Sequence, residues 1–193
     1  AEFTLVVPDA RQLIPLPDGL DPVIAVPLTD AALTPYHAVR RSWPKLTPGA
    51  TAVVIGVGGP GHLAVQILNA TTAARAIAVD TRREALALAE QPALTSPYWG
   101  SDHAAQDIRT ATGGRHGADV VLDCVGNDTT LALGASAART LGDLTLIGLG
   151  GGTLPISFFA VPYELSVQTT YGGSRPELIE VLDLASRGLL HAT

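Results

Sequence analysis

A short apolar run leads directly into a glycine-rich segment, and this junction constrains the fold more than any other part of the chain. The run is Thr51–Ile55, and the segment 56–61 reads Gly-Val-Gly-Gly-Pro-Gly, which fits G-x-G-x-x-G. An amphipathic stretch at 63–68 follows at once, and a second apolar run then ends at Asp80. A strand, a tight turn, a helix and a second strand in this order form a βαβ unit.

The alternation of apolar runs and amphipathic stretches continues along the chain. The predicted strands are Thr51–Val57, Ile77–Asp80, Ala118–Cys124 and Asp143–Leu149, with a weaker candidate in Val161–Thr170. The predicted helices are His62–Thr71, Arg82–Glu90, Ala104–Thr112, Thr129–Arg139 and Pro176–Arg187. Capping boxes are predicted at 81–84 and 174–177. Nearly continuous apolar strands separated by helices predict an α/β fold, a doubly wound parallel sheet with helices on both faces.

The first 30 residues differ in composition from the rest of the chain. They carry five of the 14 prolines, and proline disfavours regular helix and central strand. We therefore expect short strands and turns here, with 3–7 as the best strand, belonging to the tail of another unit. The chain has no methionine, even at position 1, and we expect it to be a fragment of a longer protein.

Composition excludes several classes of function. Lys and Arg number 12 against 18 Asp and Glu, for a net charge of −6, and no basic cluster argues for a nucleic-acid partner. The single cysteine excludes a disulfide framework and a cysteine metal cage. No apolar run reaches about 18 residues and the start does not resemble a signal peptide. We expect a cytoplasmic chain with no membrane partner.

The chemistry of the glycine-rich segment points to a dinucleotide. Glycines let a diphosphate approach the backbone, and the following helix offers it unpaired N–H groups. Pro60 suits a first helical turn. Asp80 stands 19 residues after Gly61, where a carboxylate binds ribose hydroxyls and repels a 2′-phosphate. This predicts that the chain binds NAD in preference to NADP. A positive charge on Arg82 or Arg83 would reduce this preference. The alternative is a tight turn that binds no nucleotide.

Further residues are expected at the carboxyl edge of the sheet, where ligands bind. Asp123 ends a strand there, either facing a ligand or capping the next turn. The segment 148–152 either passes close to a nicotinamide ring or is a flexible connection. Cys124 is expected to be a buried, inert thiol, and no histidine falls in a metal-binding motif.

Four segments resemble the medium-chain zinc-dependent alcohol dehydrogenases, and the secondary-alcohol dehydrogenases of bacteria in particular. They are 28–39, 53–62, 117–123 and 171–178, in the family's order. The resemblance implies a Rossmann NAD-binding domain at 31–193, truncated at its carboxyl end. It also implies that 1–30 is the remnant of a β-rich GroES-like catalytic domain. The family's Cys and His–Glu zinc ligands are absent, so the fragment alone is expected to be inactive.

The resemblance also assigns roles to individual residues. Asp30 falls at the position of a catalytic zinc ligand, although it is equally suited to cap a helix starting near Ala31. Thr34 falls against the nicotinamide as the catalytic residue, and Tyr171 near a subunit contact and the substrate pocket. The cofactor-binding set is Gly56, Gly58, Gly59, Pro60, Gly61, Asp80, Arg82, Val125, Ile147 and Leu149.

The implied reaction moves a hydride between a small alcohol or ketone and NAD, with zinc as Lewis acid, in a homodimer or homotetramer. The alternatives are a zinc-free NADPH quinone reductase of the same superfamily and a non-catalytic NAD-binding module. The chain departs from the family at 91–100, where two prolines stand in place of a third strand. Gly172 replaces a large aromatic residue, which predicts a wider substrate pocket.

Overall fold

A computed structural model describes residues 13–89, 103–112 and 117–192 of the chain. Within these residues, five parallel strands form one sheet in the order β2-β1-β3-β4-β5. The strands are β1 Thr51–Ile55, β2 Arg75–Val79, β3 Ala118–Asp123, β4 Ala138–Leu146 and β5 Ser166–Thr169. The strand order reverses between β1 and β3, which is the topological switch point of a doubly wound sheet. The predicted fold class is confirmed.

Helices cover the sheet on both sides. They are α1 Pro22–Pro27, α2 Leu33–Ser42, α3 Gly59–Thr71, α4 Arg83–Ala89, α5 Ala104–Ala111, α6 Asp128–Ala137 and α7 Arg175–Ser186. A π-helical turn, Leu28–Ala32, joins α1 to α2, and a 3₁₀ turn, Trp43–Lys45, follows α2. None of the helices in the described part of the chain is long and apolar enough to cross a membrane.

The core lies on both faces of the sheet. Every residue of β1 and β3 is buried, as expected for central parallel strands. One apolar cluster includes Val54, Leu68 and Val181, and the other includes Val53 and Ile108. The alternate residues of β1 thus face opposite clusters, which holds the carboxyl ends of the strands in fixed positions.

The prediction of short strands and turns before residue 31 is wrong over α1. Asp21 caps this helix, because its side chain accepts a hydrogen bond from the Val23 N–H at 2.8 Å. Pro22 occupies the first helical turn, where its missing N–H is not needed. The predicted strand at 3–7 lies outside the described residues. The division at 30/31 falls inside the helical run from α1 to α2 and stays a prediction.

Several element boundaries also differ from those predicted. Strand β4 begins at Ala138, where helix was predicted, and ends at Leu146. Helix α4 begins at Arg83 rather than directly after Thr81. The capping box at 174–177 is confirmed: the Ser174 N–H donates to Glu177 Oε2 at 2.7 Å, and the Glu177 N–H donates to Ser174 Oγ at 3.4 Å. Residues 91–100 lie outside the described part of the chain.

Candidate functional site

The carboxyl ends of four strands meet at one edge of the sheet. In the strand register Ile55 lies beside Val79 and Asp123, and Asp123 lies beside Leu146. The segments that follow these strands therefore start in one row, and they carry most of the predicted cofactor-binding residues. Because this row includes the switch point between β1 and β3, it is the expected ligand site of such a sheet.

The first and last glycines of the 56–61 loop are required by packing. Gly56 has a φ of +82°, and a Cβ there would collide with the Val125 side chain. A Cβ at Gly61 would collide with the Gly56 carbonyl oxygen. The start of α3 thus lies directly against the loop that precedes it.

The two middle glycines face open space instead. Among the described residues outside its own helix, a Cβ at Gly59 would meet no atom within 4 Å, and one at Gly58 would have only Arg82 Nη2 nearby, at 3.8 Å. Gly58 is the N-cap of α3 and has no side chain to cap the helix, so the first N–H groups of α3 are directed outward. This cradle fits a diphosphate, which would use the space that a Cβ would fill.

Asp80 lies beside the loop and is buried, at 8% exposure. Its Oδ2 accepts a hydrogen bond from the Val57 N–H at 2.8 Å. Its Oδ1 accepts from the Arg82 N–H at 2.9 Å and from Arg82 Nε at 3.3 Å. Burial raises the pKa of Asp80, but the bonds from Arg82 and Val57 outweigh burial and hold the pKa below its ordinary value. The carboxylate is therefore ionised at neutral pH.

A cavity of about 350 Å³ opens next to this carboxylate. Its walls are Val57, Gly58, Gly59, His62, Arg82, Glu84 and Ala85. The Arg82 side chain is 64% exposed, so it forms a wall that is able to move. The volume is in the range of small-molecule sites.

Asp123 organises the neighbouring turn. This residue is fully buried, and its Oδ1 accepts hydrogen bonds from the N–H groups of Val125 and Gly126, both at 2.9 Å. Its backbone carbonyl accepts from the N–H groups of Ile147 and Gly148. Oδ1 of Asp123 therefore caps the next turn, which is one of the two roles that the sequence left open. The other oxygen, Oδ2, is buried and has no hydrogen-bond partner within the described part of the chain.

The segment 148–152 is not a flexible connection. The Gly150 N–H donates to the Val125 carbonyl at 3.0 Å, and the Gly152 N–H donates to the Gly126 carbonyl at 2.8 Å. A Cβ at Gly148 would collide with the backbone of Val125. Alternate glycines therefore let the two loops lie backbone against backbone. This pairing was not predicted from the sequence, although glycines at every second position, 148, 150 and 152, are a sequence signal for it.

The three residues predicted for the nicotinamide half have different environments. Val125 is half-buried, Ile147 is 7% exposed, and Leu149 is 90% exposed. All three lie in the paired loops at the carboxyl edge of β3 and β4. Leu149 thus points away from the core and belongs to the surface of this edge, and its contact with a cofactor stays a prediction.

Asp30 and Thr34 lie next to each other on the helical run. Asp30 is exposed, and Thr34 Oγ1 donates to Asp30 Oδ1 at 3.4 Å. Asp30 lies inside the π-helical turn, so the alternative that it caps a helix is wrong. No group of three or more His, Cys, Asp or Glu residues that could hold a metal ion occurs among the described residues. One exposed carboxylate does not make a zinc site, so the described residues do not fit zinc by themselves.

Cys124 is half-buried rather than fully buried as predicted, and its thiol has the inert character that the sequence predicts. Burial, together with the neighbouring Asp123 carboxylate, raises the pKa of its thiol to about 12. The thiol is therefore protonated at neutral pH and is a poor nucleophile.

Comparison with known proteins identifies relatives of this site and fold. A family model described as zinc-binding dehydrogenase matches residues 59–187. An NAD-dependent alcohol dehydrogenase from Sulfolobus acidocaldarius is 34% identical over 190 residues, which cover 97% of this chain and 53% of that protein. An alcohol dehydrogenase from Geobacillus stearothermophilus is 31% identical over 90% of this chain and 50% of that protein. The chain thus spans about half the length of these curated relatives.

Solved structures agree with the sequence comparison. The alcohol dehydrogenase from Aeropyrum pernix superposes with a TM-score of 0.83 at 33% identity, over 92% of this chain and 52% of that one. The alcohol dehydrogenase from Thermus sp. ATN1 superposes with a TM-score of 0.79 at 26% identity, over 91% of this chain and 51% of that one. The resemblance noted in the sequence is confirmed, and this chain belongs to the zinc-binding dehydrogenase family.

Proposed function

We propose that this chain is the dinucleotide-binding part of an NAD-dependent alcohol dehydrogenase. The observation that carries the proposal is the buried, ionised Asp80 beside an open pair of glycines at the N-terminus of α3. The names of the relatives from Sulfolobus acidocaldarius and Aeropyrum pernix support the same activity. Bound NAD supplies a nicotinamide that accepts or returns a hydride.

The residues of this chain bind and orient the dinucleotide. The N–H groups at the start of α3 would donate to the diphosphate, and Pro60, which has no N–H, fits the first turn. Asp80 Oδ2 accepts one hydrogen bond from the protein and keeps a lone pair for a ribose hydroxyl. The longer bond from Arg82 Nε to Oδ1 involves a mostly exposed side chain, so it is the bond that a second hydroxyl would replace.

The same arrangement favours NAD over NADP. A 2′-phosphate would bring further negative charge against the Asp80 carboxylate, which is already ionised. Arg82 forms an ion pair with the same carboxylate and reduces this repulsion. We therefore expect NAD to bind more tightly than NADP, without NADP being excluded. Val125, Ile147, Leu149 and Thr34 are proposed to contact the nicotinamide half.

The zinc, the alcohol and the assembly belong to the proposal for the longer protein. Asp30 is the one zinc ligand proposed for this chain, and the other ligands would have to come from elsewhere in the protein. We propose a small secondary alcohol or its ketone as substrate and a homo-oligomer as the assembly, and we expect no turnover from the 193-residue chain alone.

The test is isothermal titration of NAD and NADP into the 193-residue chain and its Asp80→Asn variant. We expect the wild-type chain to bind NAD more tightly than NADP. Asp80→Asn should weaken NAD binding by about tenfold, the value of one hydrogen bond to a charged group. The substitution should also reduce the difference between the affinities for NAD and NADP. Asp18→Asn, a change of the same type at an exposed position, is the control and should leave both affinities unchanged. Equal NAD affinities for the wild-type and Asp80→Asn chains would contradict the proposal.

A further inference from the structure

His62 is the most buried histidine of the described residues, at 4% exposure, and the binding chemistry above does not use it. It lies in the first turns of α3 and forms part of the wall of the 350 Å³ cavity. Its ring Nδ1 lies 2.9 Å from the carbonyl oxygen of Gly58. Since a carbonyl oxygen only accepts, Nδ1 must carry the hydrogen and donate it.

The Gly58 carbonyl therefore accepts two hydrogen bonds from one residue. The His62 backbone N–H donates to it at 3.0 Å, which is the ordinary first bond of a helix, and the ring adds the second. Gly58 has no side chain to hold its own position, and among the described residues a Cβ there would have only Arg82 Nη2 nearby, at 3.8 Å. The His62 ring thus restrains the Gly58–Gly59 peptide, which no side chain of Gly58 holds in place.

The direction of this peptide decides where the next N–H points. A trans peptide is planar, so its C=O and N–H point in opposite directions. The Gly58 carbonyl is held toward the body of α3, and the Gly59 N–H in the same peptide is therefore directed out of the helix end. A Cβ added at Gly59 would meet no atom of the described residues outside its own helix within 4 Å, so a diphosphate would have room at this end of the helix.

Nothing in the described part of the chain shows a stabilising role for the second ring nitrogen of His62. Nε2 is buried and has no hydrogen-bond partner among the described residues. An unpaired polar atom in the interior lowers stability, and an apolar side chain of similar size would avoid that loss. Unpaired buried groups of this kind call for a functional explanation.

We propose that His62 is a positioning residue for the diphosphate of the dinucleotide, acting through the carbonyl of Gly58. The Nδ1–H fixes the orientation of the Gly58–Gly59 peptide and so aims the Gly59 N–H at the diphosphate. This inference rests on the proposed function, because it needs a diphosphate at the start of α3. The inference is that His62 contributes to binding of the diphosphate and not of the adenosine.

The experiment compares the wild-type 193-residue chain with His62→Leu and His62→Asn. Leucine removes both ring nitrogens, whereas the asparagine amide N–H replaces the Nδ1 donor without restoring Nε2. Titration calorimetry measures the affinity for ADP-ribose, which contains the diphosphate. Ligand-observed NMR measures the affinity for adenosine, which has none, and circular dichroism gives the melting temperature.

We expect His62→Leu to weaken ADP-ribose binding by about three- to tenfold, the value of one neutral hydrogen bond. Adenosine affinity should stay unchanged, and the melting temperature should be equal or higher because the unpaired nitrogen is gone. His62→Asn should restore ADP-ribose affinity to within about twofold of wild type, since it returns the same donor.

Three results would overturn the inference. The first is wild-type affinity of His62→Leu for ADP-ribose, and the second is an equal loss for ADP-ribose and adenosine. The third is a lower melting temperature with weaker binding that His62→Asn does not restore, which would make His62 a structural residue. A wild-type chain that binds no ADP-ribose would overturn the proposed function itself, and with it this inference.

Discussion

The substitution Gly61→Ala tests the packing of the glycine-rich loop. The added Cβ would collide with the backbone carbonyl of Gly56, and a backbone atom cannot turn aside as a side chain does. Overpacking costs about 1–3 kcal/mol, and a clash with backbone lies at the upper end, about 2–3 kcal/mol. Alanine in a helix recovers about 1 kcal/mol. We therefore expect a net loss of about 1–2 kcal/mol, or roughly 2–8 °C in melting temperature for a chain of this size.

The matched control is Gly59→Ala, two positions earlier in the same helix. Its Cβ would meet no atom of the residues 13–89, 103–112 and 117–192 outside its own helix within 4 Å, so the melting temperature should not fall. The same Cβ would occupy the space proposed for the diphosphate, and NAD affinity should drop by at least about tenfold. Gly61→Ala should lower both stability and affinity, because α3 must move away from the loop.

Circular dichroism melts and NAD titrations of the three chains separate these effects. A Gly61→Ala chain that melts at or above the wild-type temperature would refute the packing argument. A Gly59→Ala chain with wild-type NAD affinity would refute the view that the diphosphate lies against the middle glycines.

Two further predictions concern ionisation. Burial raises the pKa of Glu177, but hydrogen bonds from Ser174 and His37 outweigh burial and hold the pKa below its ordinary value of 4.5. A carboxylate whose pKa is lower in the folded state adds stability above its unfolded pKa and loses it as the pH falls through the folded value. Glu177→Gln should therefore reduce the loss of stability below about pH 4.5, and urea unfolding at pH 3.5 and pH 7 measures this; an unchanged pH dependence would contradict it. Cys124, with a thiol pKa of about 12, should resist a thiol-specific reagent at pH 8 in the folded chain and react once the chain is unfolded in urea. Rapid labelling of the folded chain would contradict the raised pKa of this thiol.

The part of the fold that is encoded locally could be predicted from the sequence. The strand at 51–55, the glycine turn, α3 and Asp80 follow one another within about 30 residues, and the βαβ unit that they form has known spacing. The capping box at Ser174 is equally local, since both hydrogen bonds join residues three apart.

The remainder depends on contacts between distant segments or on competing local signals. Prolines before residue 31 indicated turns, yet Pro22 stands at the one helical position that favours proline. The loops at 125–127 and 148–152 pair through their backbones, and no single segment shows that they meet. The role of His62 depends on its ring orientation, which spacing alone does not give, although Gly58 lies four residues before it.

The most direct test of the central claim is a crystal structure of the 193-residue chain with NAD. We predict that the diphosphate lies at the start of α3 within hydrogen-bond distance of the Gly59 N–H, and that a hydroxyl of the adenosine ribose donates to the Asp80 carboxylate. A dinucleotide bound elsewhere on the chain, or one whose ribose hydroxyls do not reach Asp80, would contradict the account.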